Sequence, residues 1–139
     1  MNQEFQTITV KTSSDTDILD ITDRANECIG KSGIHNGLFT ATIPGSTASI
    51  TTIEYEDGVL KDLKDAIERI APRDMEYAHN ARWGDGNGYS HVRAALLRPS
   101  LSLPIKKGRV LLGTWQQIVL LDFDNKPRSR KIVFHVIGE

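Results

Sequence analysis

The chain has 139 residues, 39% of them hydrophobic and 25% charged, with a net charge of -1 and one cysteine. That length fits a single domain with a sizeable core and is too short for two ordinary ones. The composition excludes a membrane-spanning run, a disulfide framework and the basic excess that long phosphate backbones select, while local clusters stay free to hold a small anion.

Taken in order, Met1 to Phe5 is polar and runs directly into an alternating pattern, so neither a secretory nor a transit segment is expected and the default location is the cytoplasm. Residues 4–12 alternate polar with apolar and β-branched side chains, which predicts a half-buried strand. Ile21, Ala25, Cys28 and Ile29 recur at helical spacing after Thr22, the expected N-cap, and Gly33 is placed to end that helix. Cys28 falls on the apolar face and reads as buried filler. Residues 37–43 and 48–55 predict two strands joined by the turn composition Pro44 to Thr47. Leu60, Leu63, Ile67 and Ile70 line one side of a helix from about Val59 to Ala71, which Pro72 closes.

The stretch Tyr77–His91 is different. Two of the four histidines bracket it, and Asn80, Arg82, Trp83, Asp85 and Asn87 lie between them with glycines at 84, 86 and 88. Ligand-type side chains on backbone free to adopt positive φ are the composition of a site. This loop is expected to lead into a helix over 92–98, capped by Ser90 and limited by Pro99. Imidazoles at 79 and 91 suit a divalent ion or proton transfer; the alternative is two loop histidines satisfying hydrogen bonds. Gly84–Gly88 imitates two known loops and matches neither. Its preceding residues are not a strand, as a dinucleotide fingerprint requires, and an EF-hand alignment puts Trp83 and Ala94 at ligand positions.

Residues 101–105, 109–123 and 129–137 then predict a β-meander. Its last two strands are apolar on both faces, so the second face must be covered by helices, barrel closure or another subunit. Arg128 and Arg130 alternate onto one face, where two planar forks can grip a phosphate, or else a subunit salt bridge. Trp115 could stack on a flat ring, or lie in the core.

The segments Ser46-Thr-Ala-Ser-Ile, Ile53-Glu54, Lys61-Asp62-Leu63, Ile70-Ala-Pro72, Tyr77-Ala-His79, Gly86-Asn-Gly-Tyr-Ser-His91, Leu112-Gly-Thr-Trp-Gln-Gln117 and Pro127-Arg-Ser-Arg130 occur in an order that resembles the YjbQ-like proteins, also called the secondary thiamine-phosphate synthase family. The likeness covers nearly the whole chain, residues 1–139 as one domain. It implies a compact α+β fold with a mixed, barrel-like sheet and about three helices, a homotrimer, and a pocket near the subunit contact. It also implies a weak activity joining a hydroxymethylpyrimidine diphosphate to a thiazole phosphate. The alternatives are a trimeric protein that binds a metal or phosphorylated metabolite without turnover, and a metal-assisted phosphoester hydrolase.

Carried onto this sequence, the resemblance makes Glu54, His79 and His91 the catalytic candidates, with both imidazoles also ligands to a divalent zinc or magnesium ion. Arg128 and Arg130 become the phosphate-binding pair, and Asn87, Trp115 and Gln116 line the pocket. Many family members have a histidine where this chain has Ser46, which removes one imidazole from any metal site built on that pattern. The implied partners are other copies of the chain and a small phosphorylated metabolite, with neither nucleic acid nor membrane.

Overall fold

Thr- and Ile-rich alternation becomes strand in the expected places. The computed structural model, describing residues 1–139, has β1 (Asn2–Lys11), β2 (Asp17–Asp20), α1 (Thr22–Ser32), β3 (Asn36–Thr42), β4 (Ala48–Glu54), α2 (Asp57–Ile70), α3 (Ala78–Trp83), α4 (Gly88–Leu97), β5 (Ser100–Lys106), β6 (Arg109–Val110), β7 (Gln116–Asp122) and β8 (Ser129–Gly138). One sheet has the order β1-β8-β3-β5-β6 and the other β2-β7-β4. The α+β class and single curled assembly agree with expectation. Two details differ: every strand pair is antiparallel rather than mixed, and there are four helices, not three.

The double-faced strands explain the layering. Ile132, Phe134 and Val136 of β8 face Ile118 and Leu120 of β7 across a core that also takes Phe39, Ile50 and, from α1, Ala25, Cys28 and Ile29. The opposite side of β7 presents Val119 and Leu121, with Phe123 just beyond, to a second core closed by Ile67 of α2 and Ala94 of α4. Helices therefore cover the second face of β7, as its sequence requires. The outer face of β8 is not covered in this way: His135 stacks on Phe5 at 4.3 Å, and Phe5 remains 69% exposed.

Local differences have physical causes. Thr22 is the first residue of α1 rather than its cap, because its hydroxyl bonds Asp20 Oδ1 at 2.7 Å and accepts the Ile118 N–H at 2.8 Å, tying the helix to β7. Gly33 closes α1 at φ 72°, in the left-handed conformation expected of it. Glu56 caps α2 by accepting from the Gly58 and Val59 N–H groups. β2 is four residues between aspartates, too short to give a period. The strand expected over 109–123 is broken between β6 and β7 by the turn containing Gly113 and Trp115. Cys28 is buried, and burial pushes its thiol above the ordinary value. No helix is long and apolar enough to cross a membrane.

Candidate functional site

The glycine-spaced stretch is two helices and a tight reversal rather than a plain loop. His79 lies in the first turn of α3, and Gly84 caps that helix at φ 64°. Gly86 repeats the same φ, a conformation that costs a side chain but not glycine, and α4 begins two residues later from Asn87, not Ser90. Gly88 is pressed against the helix before it. A Cβ there would meet Tyr77 Cβ at 2.6 Å, and its N–H donates to Asn80 Oδ1 at 2.8 Å. This close approach sets the two imidazoles face to partner: the His79 and His91 ring centroids are 4.5 Å apart, tilted by 41°.

The reversal is fastened to the turn between β7 and β8. Asn87 is buried, and its Oδ1 accepts from the Ser90 hydroxyl at 2.5 Å and from the Asn125 N–H at 3.2 Å. Ser90 Oγ also lies 2.5 Å from the Phe123 carbonyl, and Asn125 Nδ2 donates to the Asp85 carbonyl at 2.9 Å. Asn87 is thus a structural pin of the site rather than an open pocket wall.

That turn leads to the two arginines, which are not equivalent. Arg130 forks onto Asp122, with Nε to Oδ2 at 2.8 Å and Nη2 to Oδ1 at 2.9 Å, and Nη2 also reaches Thr47 Oγ1 at 2.7 Å. Its side chain is only 11% exposed. Asp122 also raises the guanidinium's pKa further, against the opposing effect of burial. Arg130 is therefore a structural partner, and the expectation of two free forks for phosphate is corrected. Arg128 pairs with Asp124 Oδ2 at 3.0 Å through one nitrogen and is about half exposed, leaving donors at the rim. Burial would raise the Asp124 carboxyl, but hydrogen bonds from Thr47 and Arg128 and the charge of Arg128 hold it below the ordinary range.

The remaining candidates lie elsewhere. In the β4–β7 ladder Ala48 pairs with Asp122 and Glu54 with Gln116, so Glu54 and the arginines' anchor are at opposite ends. A seven-residue strand spans roughly 20 Å. Glu54 and Trp115 instead line an open groove of about 510 Å³ with Tyr55, Glu56, Asp57 and Gln117. Trp115 is 72% exposed, so its core alternative fails. Gln116 holds the turn before it, accepting from the Gly113 N–H and donating to Thr52 Oγ1. Within one chain, then, the histidine stretch is joined through Asn125 to the turn that carries Arg128, and Glu54, Trp115 and Gln116 lie together at the other end of the β4–β7 ladder.

The donor set does not fit a resident metal. No group of three His, Cys, Asp or Glu side chains in the chain is arranged to hold an ion, and Ser46 offers no imidazole, so a closed or three-ligand zinc site is not formed by these residues. Sequence reasoning put Asp85 among the ligand-type side chains of the stretch without giving it a role, and passed over Asn125, Asp122 and Asp124. The last two had a signal, since alternate aspartates 122 and 124 are followed by alternate arginines 128 and 130.

Residues 6–139 match the family model described as UPF0047 protein YjbQ-like. A UPF0047 protein of Methanothermobacter thermautotrophicus is 37% identical over 134 residues, covering 96% of this chain and 92% of that one. One from Archaeoglobus fulgidus is 34% identical over 126 residues, covering 91% and 95%. Among solved structures, a protein of unknown function from Sulfolobus solfataricus P2 superposes with TM-score 0.94 at 31% identity over 99% of both chains. A hypothetical protein from Aeropyrum pernix K1 does so with TM-score 0.91 at 30% identity, over 98% and 99%. Such agreement carries a fold and an ordered residue set rather than a reaction. The chain belongs to the UPF0047 YjbQ-like family.

Proposed function

We propose that this chain, in the cytoplasm, holds a small phosphorylated metabolite at the His79–His91 pair, and that it acts on it by group transfer of the thiamine-phosphate synthase type. The observation that carries the reading is the 4.5 Å approach of the two rings, in a stretch that Asn125 fastens to the turn carrying the half-exposed Arg128. Paired imidazoles donate N–H groups to phosphate oxygens and can pass a proton between them, and Arg128 adds a cation at the rim.

In the synthase step the bond between the pyrimidine methylene and the diphosphate oxygen breaks, and the thiazole nitrogen forms the new bond to that methylene. The departing diphosphate gains negative charge. A protonated imidazole and Arg128 stabilise it where it develops, while the site aligns the two reactants. No step is assigned to a metal ion, because the donor set does not supply its ligands. A homotrimer belongs to the same reading. Glu54 and Trp115 sit at the far end of the β4–β7 ladder, so they would meet the imidazoles only from a neighbouring copy.

Binding without turnover is the second reading, favoured by the engagement of Arg130 with Asp122, which removes one of two cations a leaving diphosphate needs. The test is incubation of the purified protein with both thiamine precursors and Mg²⁺, beside His79→Ala and a phosphoester panel. Product formed by the wild type and lost in the variant supports the synthase. Saturable phosphate binding with no product supports the binding protein, and phosphate release from an ester would replace both readings with hydrolysis.

A further inference from the structure

We propose that Asp85 is the positioning carboxylate of His79, fixing which ring nitrogen carries the proton, and that Asn125 holds Asp85 in place; this rests on the imidazole pair being the working group of the site. The starting observation is that His79 Nδ1 is shut off from solvent and has no hydrogen-bond partner. A buried ring nitrogen in that condition is costly. The carboxylate within ion-pair distance of it is Asp85, with Oδ1 at 3.2 Å, so a modest turn of the ring completes the bond. The other titratable group facing the ring is His91, from α4.

Asp85 is placed rather than free. Its Oδ1 accepts the Asn87 N–H at 3.1 Å, and its carbonyl accepts from Asn125 Nδ2 at 2.9 Å. The left-handed glycines at 84 and 86 flank it, so the backbone reverses at this residue. A lone pair on Nδ1 would face the negative oxygen and be repelled, whereas an N–H there is attracted. Nδ1 therefore bears the hydrogen in the neutral ring, and Nε2 is left as the atom that accepts a proton or meets a ligand. The same turn that carries Arg128 thus sets the chemistry of His79, through Asn125 and Asp85.

The test is long-range proton–nitrogen correlation spectroscopy of the ¹⁵N-labelled full chain at alkaline pH, with His79 assigned from His79→Gln. The wild type is expected to show the proton on Nδ1. Asp85→Ala is expected to lower the ratio of that tautomer by about tenfold or more, the worth of one hydrogen bond to a charged acceptor. Asn125→Ala lowers it less, since the carboxylate is loosened and not removed. A wild-type ring protonated on Nε2, or a ratio unchanged in Asp85→Ala, overturns the assignment, and the wild-type spectrum decides even if a variant fails to fold. Titrating inorganic phosphate into the same samples tests the functional reading separately: rings that ignore phosphate sink that reading and leave the tautomer result to judge Asp85.

Discussion

Arg130 and Asp122 meet fork to fork, two nitrogens on two oxygens at 2.8 and 2.9 Å, with the aspartate wholly buried. Removing one member of such a pair leaves an uncompensated charge in the interior, which costs roughly 3–5 kcal/mol. Arg130→Ala should therefore unfold at much lower urea. Arg130→Lys should recover little, because an ammonium cannot span both oxygens. A loss of phosphate binding with unchanged urea midpoint in Arg130→Ala would return this residue to the ligand site.

Arg128 gives the contrasting result. It is about half exposed, yet it bonds the buried Asp124 through one nitrogen and helps to keep that carboxylate charged, so Arg128→Ala should cost about 1 kcal/mol, less than the loss of Arg130. Its effect should appear in binding, as a roughly fivefold weaker affinity for inorganic phosphate by calorimetry. Unchanged affinity would remove Arg128 from the rim.

Asp124 makes the fold sensitive to acid. Its carboxyl lies below the ordinary value in the folded chain because Thr47 and Arg128 outweigh the effect of burial. The unfolded state then binds more protons than the folded one between the two values. The stabilisation is complete above about pH 4 and is lost as pH falls through the lower, folded value. Urea midpoints measured from pH 7 down to pH 3 should fall for the wild type, and Asp124→Asn should be less stable at pH 7 with a shallower fall. Parallel curves for the two proteins would assign the acid sensitivity to other carboxylates.

The parts of this structure legible in the sequence are those set by local pattern. Period-two runs gave β1, β3, β4 and β8, Pro72 and Gly33 ended helices where punctuation said they would, and the glycine-spaced stretch did bring His79 to His91. What escaped was set by pairing across the chain. The alternate aspartates 122 and 124 ahead of arginines 128 and 130 hint at pairing, but that the fork of Arg130 is filled from a different sheet is not legible, because β7 and β8 are consecutive yet not hydrogen-bonded to each other. Trp115 fits an inward position only if 109–123 is one strand, and the break at Gly113 turns it outward. Glu54 and the histidines belong to one ordered series of motifs but not to one end of the sheet, and a linear order of motifs carries no such distance.

Gly88 fixes the spacing of the imidazoles. A methyl group added there would lie 2.6 Å from Tyr77 Cβ and 3.0 Å from Asn80 Oδ1, and the neighbour is a side-chain root that cannot swing away. Gly88→Ala should cost about 1–3 kcal/mol as overpacking and push α3 from α4. The measurable consequence is a lower melting temperature together with weaker phosphate binding. A variant as stable as the wild type would show that the two helices have slack between them.

Zinc separates the present residues from those the family pattern implies. His79 and His91 are two donors, Asp85 faces the Nδ1 of His79, and no group of three His, Cys, Asp or Glu side chains is arranged to hold an ion, so added Zn²⁺ or a chelator should leave the wild-type melting temperature within about 2 °C, since weak binding near its Kd stabilises little. Ser46 stands where the resemblance to the family implies a histidine. Its neighbour Thr47 bonds Asp124 of the β7–β8 turn, and Asn125 of that turn is stitched to the histidine stretch. An imidazole at 46 is thus brought to the same side of the molecule as the other two. Ser46→His should gain a zinc-dependent rise in melting temperature, corresponding to about 2.7 kcal/mol at a hundredfold excess over Kd, and His91→Ala in that background should abolish it. If the wild type already responds to zinc as strongly as Ser46→His, the two imidazoles find their further ligand elsewhere, and a shared site between copies of the chain becomes the structure to look for.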